Sequence, residues 1–314
     1  MMYAPAPMHI PDGFLSVAIS IFSWVMTVAI LAVAIRKTNK ALGERQVPLM
    51  GIMAAFIFAA QMINFPVAGG TSGHLLGGAL AAIILGPWAG MLVMTAVIAV
   101  QGLLFQDGGL LVMGANIFNM GLLTAAVGYG LYRTVIGRSN RTKLIVAGLA
   151  AWVSVMTGAL ATSLELWLSG TAKLNIVVPA MLGVHALIGI GEALVTVAAL
   201  AFIFRTRPDL LGEQSVSAKG GRGWVVAGAL ITLVVVLLSP LASVDPDGLN
   251  RVALDLGFFA TETASPIKVL GGYAIPFLGM TPLSRILAGG LGVLVVAGVA
   301  LLAARLLRKR TKST

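Results

Sequence analysis

Histidine is the residue type in this sequence best suited to bind a metal, and the chain contains only three, His9, His74 and His185. Cysteine is absent, which excludes a thiolate metal site, a disulfide and a cysteine nucleophile. Each histidine lies beside or within an apolar stretch, where ionisable groups are costly and often functional. The alternative interpretation is a core histidine that hydrogen-bonds between helices.

The dipeptide Met8-His9 has the atoms of a chelate. If translation begins at Met8, its amine, the backbone nitrogen of His9 and the imidazole Nδ1 close a five-membered and a six-membered ring on one metal. Three positions of a plane are then filled with nitrogen, an arrangement that suits Ni(II) or Cu(II). The following Pro11-Asp12-Gly13 is a turn signal that could fold this terminus back into the protein.

A second histidine, His74, ends the glycine-rich stretch GGTSGH at residues 69–74. The glycines allow close approach and unusual backbone angles. No Lys-Ser or Lys-Thr follows, so this stretch is not a phosphate-binding P-loop. The predicted topology places His74 on the same side of the membrane as His9, and His74 is therefore a natural fourth ligand.

The third histidine, His185, precedes Glu192 by seven residues, so both side chains share one helix face. We favour a polar clamp between helices over an ion path. His185 could also orient the metal ligands without contacting the metal itself. Asp107 and Asn116 flank predicted helix ends, where they either line the pocket or cap the helices. Asp12, in the turn after His9, is a further candidate to support the ligands.

The elements that must position these residues are membrane helices. Hydrophobic residues make up 58% of the chain and charged residues 10%, with a mean hydropathy of +0.98, which excludes a soluble domain. Apolar stretches of about 20 residues recur, each long enough to cross a bilayer. We predict an all-α bundle of nine spans, at about 15–35, 47–64, 73–86, 88–105, 110–132, 144–169, 178–204, 223–243 and 284–307.

The basic residues support the odd number of spans. With nine spans, 17 of the 21 Lys and Arg residues fall on one side. The positive-inside rule then predicts an extracytoplasmic N-terminus and a cytoplasmic C-terminus. Because these residues lie in short loops between spans, the net charge of +10 does not indicate binding to nucleic acid.

A polar stretch at 206–222 predicts a cytoplasmic linker between two units. Residues 8–205 form the predicted seven-helix unit. Residues 223–314 form a two-helix unit with an extracytoplasmic loop at 244–283, which opens with the turn signal Asp245-Pro246-Asp247-Gly248.

Four sequence blocks carry a resemblance to a family. MHIPDGFLS, QMINFPVAGGTSGHLLGGALAAIILGPWAG, LFQDGGLLVMGANIFNMG and MLGVHALIGIGEAL together resemble the cobalt/nickel substrate-capture component of energy-coupling-factor transporters, over residues 8 to about 205. PDGLN at 246–250 is similar to the Pro-Asp-Gly-Leu-Glu signature of the family's small accessory subunit, with Asn250 in place of Glu.

The resemblance implies a function and a set of ligands. The metal, Ni2+ or Co2+, is a transported substrate and no permanent cofactor is implied; its ligands map to Met8, His9 and His74. It further implies a multi-pass protein of a prokaryotic cell membrane that works with ATPase subunits and a transmembrane coupling subunit. The preceding MMYAPAP would turn the Met8 amine into an amide, so we expect the functional chain to begin at Met8.

Two other classes of function remain as alternatives. An intramembrane metalloenzyme would need an open metal position beside a general base, and a non-transporting membrane scaffold would bind no metal. Within the main interpretation, nickel is favoured over cobalt because planar nitrogen ligation suits Ni(II) better.

Overall fold

The computed structural model describes residues 8–43, 46–207, 223–267 and 269–311. Within these ranges the chain is predominantly helical, with one two-stranded antiparallel sheet. The elements are α1 Val17–Ala41, α2 Gln46–Gln61, β1 Phe65–Val67, β2 Thr71–Gly73, α3 Gly78–Leu85, α4 Pro87–Val100, α5 Met113–Asn116, α6 Thr124–Tyr132, α7 Asn140–Leu168, α8 Leu174–Thr206, α9 Gly223–Leu238, α10 Gly248–Leu256 and α11 Pro282–Thr311.

Six helices in the described ranges are long and apolar enough to cross a membrane. They are α1, α4 with its continuation to Phe105, α7, α8, α9 and α11. Large apolar side chains such as Val17, Phe22 and Val25 are exposed on α1, as expected for a face that contacts lipid. The chain is therefore a multi-pass membrane protein, as its composition predicts.

The other three predicted spans have a different form. The span predicted at 47–64 is the shorter helix α2, and the one at 110–132 is helical from Met113 to Tyr132 in three consecutive segments. The prediction of one helix over 73–86 is wrong at its start. The chain there forms strand β2 and then the eight-residue helix α3, which Gly77 precedes with a φ of +81°.

The sequence pattern did not predict the hairpin of β1 and β2. Phe65 pairs with Gly73 and Val67 with Thr71. Gly69 and Gly70 make the turn with φ of +77° and +65°, angles that residues with a Cβ rarely adopt. His74 directly follows β2, and the hairpin places it in the interior of the bundle.

The C-terminal helices pack on the N-terminal bundle. Helix α2 packs against both α11 and α9, and α7 packs against α8. Gly51 allows the close approach of α2 and α11, because a Cβ there would lie 2.6 Å from Cγ of Leu301. The segment after α9 also contains the short helix α10, which packs against α8.

The N-terminal segment before α1 shares a core with the segment after α9. Ile10 and Phe14 are buried with Leu249 and Phe258 in one hydrophobic cluster. The rings of Phe14 and Phe258 meet edge to face at 5.1 Å. This cluster fixes the start of the described chain deep inside the protein.

Candidate metal-binding site

The loop after α4 and the short helix α5 hold the N-terminal segment by side-chain hydrogen bonds. The Met8 nitrogen donates to Asp107 Oδ1 at 2.7 Å. The Ile10 nitrogen donates to Asn116 Oδ1 at 3.0 Å, and Asn116 Nδ2 returns a bond to the Ile10 carbonyl at 3.0 Å. Asp107 and Asn116 thus place the backbone on both sides of His9.

Asp12 anchors the same segment to the start of α5. Its carboxylate accepts three backbone N–H bonds, from Leu110 at 2.9 Å, Leu111 at 2.9 Å and Val112 at 3.1 Å. The predicted turn at residues 11–13 therefore returns the terminus to the protein, and Asp12 provides the hydrogen bonds that fix it there.

His9 is buried beside Asp107. Its Nδ1 lies 3.0 Å from the Asp107 carbonyl oxygen, and its Nε2 is buried without a hydrogen-bond partner. One of the two ring nitrogens therefore lacks a hydrogen bond, which is unusual for a purely structural core histidine.

His74 lies directly opposite His9. The two ring centroids are 5.6 Å apart, and Nδ1 of His74 lies 3.0 Å from the Leu75 carbonyl oxygen. Two imidazoles bound to one metal at about 2 Å each keep their centroids roughly 4.5–6.5 Å apart. The separation of His9 and His74 is thus compatible with a shared ion.

Glu192 of α8 fixes the backbone that follows His74. Its two oxygens accept bonds from the nitrogens of Leu76 at 2.6 Å and Gly77 at 2.8 Å, and the side chain is fully buried. Glu192 is therefore a polar clamp, but it binds the loop at residues 74–77, called the His74 loop below, and not another helix. His185 bonds within its own helix, from Nδ1 to the Met181 carbonyl at 2.8 Å.

A cavity of about 60 Å³ lies between these groups. Such a volume holds an ion with few waters and lies far below the roughly 300–1,000 Å³ of organic ligand pockets. It is lined by residues of the N-terminal segment, the loop that begins at His74, α5, α7, α8 and the start of α10, including Met8, His9, His74, Asn116, His185 and Asp247.

Asp247 comes from the C-terminal unit, where it caps α10 by accepting the Asn250 N–H at 2.8 Å. Burial is the main cause that raises the pKa of Asp247 to about 8, and the nearby Asp107 adds to it. Backbone hydrogen bonds from Asn250 and Leu249 act in the opposite direction. Sequence reasoning identified the turn at 245–248 but not its position at this cavity.

A second residue of the C-terminal unit, Tyr273, contacts Asp107 directly. Its hydroxyl donates to Asp107 Oδ2 at 2.5 Å. Burial and then the charge of Asp107 raise the pKa of Tyr273 well above its ordinary value, which keeps the phenol a donor. A wider cavity of about 640 Å³ lies beside this contact and is lined by both units. No spacing in the sequence singles out Tyr273.

In the described residues, no three His, Cys, Asp or Glu side chains converge closely enough to hold a metal ion. A metal at the 60 Å³ cavity would consequently need ligands beyond these side chains, and the backbone of Met8 and His9, which line the cavity, carries nitrogen atoms of that kind.

The fold and this site define a class of protein: a multi-pass helical membrane protein with a buried, imidazole-lined cavity of ionic size. Residues 9–210 match the family described as the cobalt uptake substrate-specific transmembrane region, and residues 222–309 match the PDGLE domain. The chain therefore belongs to the cobalt uptake substrate-specific transmembrane family, joined to a PDGLE domain.

Several relatives resemble the chain over most of its length. A putative fused nickel transport protein NikMN of Archaeoglobus fulgidus is 34% identical, with 92% of this chain and 95% of the relative covered. The fused nickel transport protein NikMN of Rhodobacter capsulatus is 32% identical, with 94% and 96% covered. A crystal structure of a truncated transition metal transporter matches with a TM-score of 0.57 and 37% identity, over 63% of this chain and 99% of that one.

Proposed function

We propose that this chain is the substrate-capture subunit of an energy-coupling-factor importer and that its substrate is Ni2+ or Co2+. The observation that carries the proposal is the pair of buried imidazoles, His9 and His74, at 5.6 Å beside an ion-sized cavity. The names of the relatives support the choice of metal, since those that match nearly the whole chain are nickel transport proteins.

The proposed ligands are the Met8 nitrogen, the backbone nitrogen and Nδ1 of His9, and Nε2 of His74, the ring nitrogen that does not contact the Leu75 carbonyl. Nδ1 of His9 would exchange its contact with the Asp107 carbonyl for the metal. Where Met8 is the first residue, its amine can give a lone pair to the metal and still donate an N–H to Asp107. In the longer chain the same nitrogen is a peptide nitrogen and must lose a proton to bind.

Asp12, Asp107 and Asn116 would hold this N-terminal chelate in place through the bonds described above. His185 would contribute to the wall of the cavity, which it lines from α8. Planar nitrogen ligation favours Ni(II) over Co(II).

The proposal includes the topology and division of the chain. Nine spans would place the N-terminus and the site outside and the C-terminus in the cytoplasm. Residues 8–205 would be the capture domain and 223–314 an accessory domain with an extracytoplasmic loop at 244–283. Of the linker proposed at 206–222, residues 208–222 lie outside the described part of the chain, as do residues 1–7. ATPase subunits and a transmembrane coupling subunit would supply the energy.

Catalysis by an intramembrane metalloenzyme has less support from the geometry. A general base must be able to take a proton from a metal-bound water. Glu192 is fully buried and both of its oxygens already accept backbone N–H bonds.

The proposal is tested by metal binding to purified protein. We expect His9→Ala and His74→Ala each to abolish high-affinity Ni2+ binding in calorimetric titrations, whereas His185→Ala, the matched control, keeps most of it. Equal losses in all three variants would show that the ligand set is wrong. Competition among Ni2+, Co2+, Cu2+ and Zn2+ then identifies the preferred ion, and preferential retention of Co2+ would contradict the choice of nickel.

A further inference from the structure

Tyr273 reaches the metal site from the segment between α10 and α11. It is buried, with 4% of its surface exposed, and has a φ of +57°. A residue with a Cβ rarely adopts this left-handed conformation, and such strained residues concentrate at functional positions. The preceding Gly272, at φ +63°, helps to turn the chain inward.

The phenol ring is fixed in position by its neighbours. It stacks on Phe105 with centroids 4.8 Å apart and an angle of 20°, and Phe58 lies at 6.1 Å. The Leu270 nitrogen bonds to the Leu104 carbonyl at 2.8 Å, which ties this segment to the loop that carries Asp107. Gln101 Nε2 donates to the Tyr273 hydroxyl at 3.2 Å, so the hydroxyl's own proton points to Asp107.

The two oxygens of Asp107 serve different units of the protein. Oδ2 accepts the Tyr273 hydroxyl at 2.5 Å, and Oδ1 accepts the Met8 N–H at 2.7 Å. Because a carboxylate is rigid and planar, the bond that fixes Oδ2 also fixes Oδ1. Without the Tyr273 hydroxyl, only the bond from Met8 would remain of these two to orient the carboxylate.

We propose that Tyr273 is a positioning residue of the metal site, which sets Asp107 so that this carboxylate aims the Met8 nitrogen at the bound ion. The inference rests on the proposed function, because it assumes that Met8 is a ligand. The C-terminal unit thereby completes the site without supplying a ligand of its own.

Tyr273→Phe tests the inference, since it removes the hydroxyl and keeps the stacked ring. Removing a group that orients a metal ligand typically costs about 10- to 100-fold in affinity. We expect a Ni2+ affinity lower by that factor. We also expect a shifted ligand-field absorption band of bound Ni(II), because the Met8 nitrogen is no longer held. Tyr129→Phe on α6, half-buried and outside the site, is the matched control and should change neither measurement.

The outcomes separate this inference from the proposed function. If His9→Ala abolishes binding but Tyr273→Phe keeps its affinity, or loses affinity with an unchanged absorption band, the positioning role is wrong and the ligand set stands. If His9→Ala binds Ni2+ like the unaltered protein, the proposed function itself fails. Should Tyr273→Phe not fold, Gln101→Leu replaces it: a weaker loss with the same spectral shift supports the inference, and unchanged binding overturns it.

Discussion

Replacing Glu192 by Gln should loosen the loop that carries His74 and weaken the metal site. The carboxylate receives two N–H bonds, from Leu76 and Gly77, and no solvent reaches it. A glutamine keeps one acceptor oxygen but turns an amide N–H toward the second backbone N–H. One hydrogen bond is therefore lost, and a buried backbone donor is left without a partner.

The expected size follows from those two bonds. A hydrogen bond to a charged group contributes about 1.5–3 kcal/mol, and an unpaired buried donor costs a similar amount. If about 2 kcal/mol of this holds the His74 loop in its binding conformation, the Ni2+ affinity falls by roughly 30-fold, since each 1.4 kcal/mol is tenfold.

Calorimetric Ni2+ titration of the purified protein measures this effect, and amide hydrogen exchange over residues 71–77 should accelerate in parallel. Glu165→Gln is the matched control: the same change on α7, where Glu165 accepts a bond from Asn119 at 2.6 Å and makes no bond to the loop. An unchanged affinity in Glu192→Gln, or an equal loss in Glu165→Gln, would refute the reasoning.

Two further predictions concern the carboxylates of the N-terminal segment and of α10. Asp12→Asn should lose the hydrogen bond from the Leu110 nitrogen at 2.9 Å. We expect this loss to lower the melting temperature and to lower the Ni2+ affinity about tenfold. Calorimetry that finds neither change would contradict the anchoring role of Asp12. Asp247 has a pKa of about 8 in the folded protein, against about 3.9 in an unfolded chain. The folded state therefore favours the protonated carboxyl, whose contribution to the free energy of unfolding is fully present below about pH 4 and is lost as the pH rises to 8. Asp247→Asn keeps the helix cap and cannot ionise. In metal-free protein it should therefore raise the melting temperature more at pH 8.5 than at pH 5, and Asp245→Asn is the control. A gain in melting temperature that is independent of pH would argue against a buried charge.

The membrane character of the chain was predictable because long apolar stretches have few other stable forms in lipid. The approach of His9 and His74 was expected from the predicted topology, which places both on the same side of the membrane, and from the turn after His9. Their ligation of a metal remains a prediction. The shared helix face of His185 and Glu192 was identified correctly, but spacing along one helix does not reveal what lies opposite it.

Residues brought in from the distant C-terminal unit were harder to predict. Tyr273 meets Asp107 across 166 positions of sequence, and no local pattern records that contact. The hairpin before His74 was missed because its two strands have only three residues each, too few for an alternating pattern to show. In both cases tertiary contacts, and not local preference, determine the conformation.

The segment that carries Tyr273 belongs to the same polypeptide as the aspartate that it covers. The encounter between them is therefore intramolecular, with an effective concentration that reaches about millimolar for short flexible connections and does not depend on how much protein the cell makes. Each molecule therefore contains one Tyr273 segment for each metal site. Dilution of the purified protein should therefore not separate Tyr273 from Asp107, whereas two separate chains would dissociate at low concentration.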